Sequence, residues 1–121
     1  MEAKDLITII EWFGAMVKQD LDEFDKPLKN GRLYWNIPND RLRVFNPETK
    51  PRQLRMLEVR MIHELKAKYA FDIEYRIVYN CLDDTVEVEL WSGVTLLTRA
   101  KADTEWAARL KLVFNYITED V

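Results

Sequence analysis

The sequence predicts an α+β fold, with helices packed on one face of a three-stranded antiparallel β-meander in the order α–irregular–α–β–β–β–α. Three observations predict it. Residues 71–91 alternate apolar and charged side chains on both sides of the turn-forming Asp83-Asp84, which is the pattern of a hairpin with one greasy and one polar face. Apolar residues recur at helical spacing before, between and after the strand-like segments. A half-apolar hairpin is not stable alone, and needs helices laid across it.

Taken in order, the first helix is expected to be capped by Asp5 and to run to about Leu21, with Leu6, Ile9, Ile10, Phe13, Val17 and Leu21 as its stripe. Gly14 then falls in mid-helix, at a cost of about 1 kcal/mol against alanine. The acidic run Asp20, Asp22, Glu23, Asp25 marks its exit. Residues 26–50 hold a turn signal at 29–32 and read as an ordered connection with one or two short strands, at Leu33–Ile37 and Leu42–Phe45, punctuated by prolines. The second helix begins near Glu48–Pro51 and runs to about Tyr69, buried along Leu54, Leu57, Met61, Leu65 and Lys68/Tyr69 with Glu58 and Ile62 beside them. Ser92-Gly93 turns the chain into a third strand over 94–100. Asp103 or Thr104 caps a last helix with Trp106, Leu110, Val113, Phe114 and Ile117 on its core face.

At 121 residues the chain reads as one domain, 1–121, with 48% apolar and 32% charged residues, which excludes a disordered class. No apolar run approaches the roughly 18 residues of a membrane span, so no membrane partner is expected. The single cysteine, Cys81, fits a reducing compartment. The opening Met-Glu-Ala-Lys-Asp lacks the features of a secretory signal, so a cytoplasmic location is expected. Charge is segregated. Residues 1–26 carry three Lys/Arg against seven Asp/Glu, residues 27–70 ten against four, and residues 71–121 five against ten. The basic middle either pairs with its acidic flanks or orients a charged partner.

Motifs for chemistry are sparse. His63 is the sole histidine, and no spacing brings it to Cys81. There is no Cys/His cluster for zinc and no Gly-rich phosphate loop among three glycines. Glu87 and Glu89 share a strand face about 7 Å apart, which is more often a solvated face than a carboxylate dyad or metal site. No enzyme activity, catalytic residue, metal or cofactor is therefore expected. Trp91 stands among these glutamates on the face opposite the core, which makes it either the rim of a partner site or part of a second small core under residues 33–45.

From Pro51 onward the order α-β-β-β-α is that of double-stranded-RNA-binding domains, which use lysines at the start of their last helix. Here the stretch reads Lys101-Ala-Asp-Thr-Glu-Trp106, with two carboxylates where cations are needed. A second resemblance covers about a fifth of the chain. The strand leading into Arg99-Ala-Lys-Ala-Asp-Thr and then Trp106-Ala-Ala-Arg-Leu-Lys-Leu-Val resembles the end of the small phage proteins called the phage ABA sandwich domain. That resemblance implies a phage or prophage accessory protein, with no catalytic residues to carry over. The reading is thus a non-enzymatic module that binds a host or viral protein. Its contact candidates are Trp91, Glu87 and Glu89 on the sheet, and Arg52, Arg55 and Arg60 on the second helix. The alternative is nucleic-acid binding through that basic helix. Spare apolar residues on helix one, Ile7 and Trp12, also suit a homodimer.

Overall fold

The computed structural model describes residues 1–28 and 31–119. Lys29 and Asn30 of the expected turn lie outside the described residues, as do Asp120 and Val121. The described residues form an α+β mix of three helices and two three-stranded antiparallel sheets, where the sequence suggested a single meander. It divides into two compact units, Met1–Asn46 and Pro47–Val121.

In the first unit α1 spans Ala3–Phe13 and buries Ile9 and Ile10. Asp5 does not cap it. The cap position is Glu2, and Asp5 sits inside the first turn, where the helix dipole favours an acid. The helix also stops earlier than its apolar spacing suggests. Gly14 takes φ 87°, a left-handed conformation that glycine adopts without steric penalty. Its N–H donates to the Glu11 carbonyl at 3.1 Å, and that of Ala15 to Ile10 at 3.2 Å. Val17, expected on the helix, lies instead on β1 (Met16–Gln19) opposite Trp35. Strand β2 (Leu33–Asn36) pairs with β1 and with the short β3 (Arg43–Val44), so of the one or two strands expected between 33 and 45 both form, and β1 adds a third.

The acidic run forms turns rather than a helix exit. Asp22 Oδ1 accepts the N–H groups of Phe24 at 2.8 Å and Lys26 at 2.9 Å. Asp20 Oδ2 accepts that of Arg32 at 3.1 Å. The core is aromatic: Trp35 is buried, its ring centroid 5.3 Å from Phe13 and 4.7 Å from Phe45, distances at which tilted ring pairs attract.

In the second unit α2 (Pro51–Lys68) opens on a proline, β4 (Ile73–Asn80), β5 (Thr85–Ser92) and β6 (Thr95–Ala102) form a meander in that order, and α3 (Glu105–Thr118) closes the chain. Thr104 caps α3, its hydroxyl accepting from the Ala107 N–H at 3.1 Å. Helix α3 packs on β5 and β6, and α2 on α3 and β4. The register sets Tyr75 opposite Leu90, Ile77 opposite Val88 and Tyr79 opposite Val86, so one sheet face carries the apolar set. Val86, Val88 and Leu90 are buried there with Thr98 and Ala100. Trp106 departs from its expected core position. It is 40% exposed, its ring lying 4.7 Å from the Arg109 guanidinium. Among the described residues no helix is long and apolar enough to cross a membrane.

Candidate functional site

The other face of the β4–β5–β6 sheet is polar because its side chains alternate with the buried ones. Three cross-strand rows organise it. Arg76, Glu89 and Arg99 form one; Val78, Glu87 and Lys101 a second; Glu74, Trp91 and Leu96 a third. Glu87, Glu89 and Trp91 thus come together along the central strand, each half-buried between its neighbours.

Each of the three is held by a specific contact. The Arg76 guanidinium lies 4.3 Å from the centre of the Trp91 ring, within cation–π range. Trp91 Nε1 donates to Glu89 Oε1 at 3.3 Å. Arg99 Nε stands 3.7 Å from Glu87 Oε1, and Arg76 Nε donates to Glu74 Oε1 at 3.3 Å. At the hairpin end Lys101 Nζ donates to Asp83 Oδ2 at 2.6 Å and Thr85 Oγ1 to Asp83 Oδ1 at 2.5 Å. The lysine first, and the hydroxyl second, hold the Asp83 carboxyl below its ordinary value of 3.8. Exposed ion pairs contribute only about 0–1 kcal/mol each. Their effect here is to fix where the charges stand. Arg76 and Arg99 were not singled out from sequence, because only the strand register reveals that they face the glutamates and tryptophan.

Arg52, Arg55 and Arg60 lie on α2, apart from the sheet face, and all three are exposed. Arg60 pairs with Glu64 at 3.3 Å. Arg52, Arg55, Val59, His63 and Lys66 fall at i+3 and i+4 steps along one exposed stripe. His63 and Cys81 are both exposed. Among the described residues no group of three or more His, Cys, Asp or Glu could hold a metal ion.

Between α2 and α3 runs a partly buried polar seam, centred on the fully buried Glu58, that the sequence did not reveal. Arg109 Nε donates to Glu58 Oε2 at 2.9 Å, and Nη2 to Glu58 Oε1. Tyr116 donates to Glu64 Oε1 at 2.7 Å. Tyr75 stands beside the Glu58 carboxylate without reaching ordinary hydrogen-bond geometry. Burial, then the Glu58 charge, pushes its phenol well above the usual range. Burial and the bond to Glu64 push Tyr116 the same way. Both phenols stay neutral at physiological pH, and this seam ties helices together.

No protein-family model, curated protein or solved structure matches the chain.

Proposed function

We propose that the chain is a non-enzymatic protein-interaction module whose contact surface is the polar face of the β4–β5–β6 sheet. The observation that supports this reading is the Arg76–Trp91–Glu89 cluster, in which Arg76 of β4 lies over Trp91 of the central strand and Trp91 donates to Glu89. A tryptophan held by an arginine and an acceptor is pre-ordered, so little side-chain freedom is lost when a partner covers it. Around it Glu74, Glu87 and Glu89 balance Arg76, Arg99 and Lys101. A face of zero net charge suits a protein surface of mixed sign, whereas a polyanion needs a cationic one. The resemblance over Val94–Tyr116 adds a phage or prophage origin to this proposal, with a host or viral protein as the target.

The test is quantitative capture. Binding partners recovered by the intact protein are measured again with Trp91→Ala and with Arg76→Ala, each checked for native circular dichroism. A drop of about tenfold or more for either variant supports the proposal, since residues at the centre of an interface cost about 2 kcal/mol or more on truncation. Unchanged affinity in both removes it.

One observation favours a second reading. The α2 stripe carries Arg52, Arg55, His63 and Lys66 with no acid among them, and the second unit has the α-β-β-β-α order of double-stranded-RNA-binding domains. This reading predicts that Arg52→Glu/Arg55→Glu abolishes binding to duplex RNA and that affinity falls steeply with salt. Affinity that ignores salt, or no RNA binding at all, eliminates it.

A further inference from the structure

The two edges of the β4–β5–β6 sheet are finished differently. On β6 the carbonyl of Arg99 accepts from Asn115 Nδ2 at 3.0 Å, and that of Lys101 from Lys111 Nζ at 3.2 Å. Helix α3 therefore occupies hydrogen-bonding groups that a further strand would use. Among the described residues none bonds to the outer edge of β4 in this way. It is eight residues long, contains neither proline nor lysine, and pairs with β5 without a bulge. These are the devices by which exposed edges are normally blunted. Exposed apolar side chains line it instead: Ile77 at 42%, Val78 at 46% and Tyr79 at 64%.

The direction of the free backbone groups follows from the ladder. In an antiparallel pair, successive residues point their N–H and C=O alternately toward and away from the neighbour. Arg99 and Lys101 point outward from β6, so Thr98, Ala100 and Ala102 bond to Leu90, Val88 and Val86. Glu87 and Glu89 then turn their backbone toward Val78 and Arg76. The unpaired groups of β4 belong to Ile73, Tyr75, Ile77 and Tyr79.

We propose that β4 pairs antiparallel with β4 of a second copy about a twofold axis at Tyr75, joining two three-stranded sheets into one of six strands. That register alone is self-complementary in charge. It sets Glu74 opposite Arg76 of the second copy and Arg76 opposite Glu74, while Ile73 meets Ile77. An axis one residue later sets Arg76 against Arg76. An axis at Ile77 sets Arg76 against Val78 and Glu74 against Asn80, leaving both charges without a cross-strand partner. Opposite charges directly across antiparallel strands attract and like charges repel, so the strand specifies both its occupant and its alignment. A closed twofold contact leaves no further edge for growth, because α3 covers β6. The inference goes beyond the function proposed above, since self-pairing uses the sheet edge. Its consequence is that two polar faces lie side by side on one surface.

The experiment is sedimentation of the full chain carrying Cys81→Ser, from micromolar to millimolar concentration. A monomer–dimer equilibrium is expected. Glu74→Arg and Arg76→Glu, which place like charges opposite one another, each weaken it about tenfold. The double reversal Glu74→Arg/Arg76→Glu associates more tightly than either single variant. As an independent measurement, Glu74→Cys/Arg76→Cys in the same background gives a covalent dimer on mild oxidation, because residues in a non-hydrogen-bonded pair lie close enough for a disulfide. A monomer at every concentration overturns the proposal. So does a dimer indifferent to both reversals, or the absence of cross-linking in the cysteine variant.

Discussion

Arg109 of α3 closes on Glu58 of α2 across fifty-one positions of sequence, and the carboxylate it neutralises is fully buried. The Trp106 ring and Glu105 flank the guanidinium at 4.7 Å and 3.6 Å. The bond to Glu58 is the first cause of the raised pKa of Arg109. Removing one member of such a pair strands a charge in the core, at a cost of about 3–5 kcal/mol. Arg109→Leu is expected to lose that much in urea denaturation at unchanged slope. Glu58→Met/Arg109→Leu, which removes both charges, is expected to lose clearly less than the single variant.

That pair also shows how far the sequence could be read. Glu58 was visible as a lone acid beside the apolar stripe of α2, but nothing local marks a partner fifty-one positions away. The hairpin was legible because its alternation is local, and the register confirms that odd positions of β4 and even positions of β5 share a face. Helix α1 was overextended because Val17 and Leu21 continue an i+4 spacing by coincidence. Gly14 was the opposing signal, since its left-handed φ ends the helix. The site candidates Trp91, Glu87 and Glu89 were found by parity alone. Arg76 and Arg99 needed the cross-strand register as well.

Gly14 can be tested directly. A Cβ there would meet nothing within 4 Å, so the cost of substitution is conformational. Gly14→Ala is expected to destabilise by about 1–2 kcal/mol, and Gly14→Asn by less, because asparagine tolerates the left-handed region. At Gly93 the φ is 58° and a Cβ would come 3.2 Å from Phe71 Cγ. There asparagine is expected to rescue less of the loss. Thermal unfolding of the four variants decides this, and equal costs for Ala and Asn at position 14 would contradict it.

Thr104, rather than Asp103, caps α3. Thr104→Ala leaves the Ala107 N–H without its acceptor and is expected to lose about 1 kcal/mol. Thr104→Ser keeps the oxygen and is expected to stay close to the parent. Asp103→Ala, which removes no cap, should have little effect on the same denaturation curve.

The Asp83–Lys101 contact gives the fold a defined acid response. Asp83 has a folded pKa below its ordinary value, chiefly through Lys101 and then Thr85. A carboxyl of that kind binds its proton more readily in the unfolded chain. Its contribution to stability is therefore complete above the unfolded pKa and disappears as pH falls through the folded one. Asp40 behaves in the same sense in the first unit, held down first by Arg43 and then by the Arg41 N–H. Melting temperature is expected to fall between about pH 5 and pH 2, and Asp83→Asn should flatten part of that limb. Carboxyl NMR titration isolates the cause. The Asp83 signal should titrate below 3.8 in the parent and move back toward that value in Lys101→Met. An Asp83 midpoint that does not respond to Lys101→Met would show that the lysine does not hold this turn.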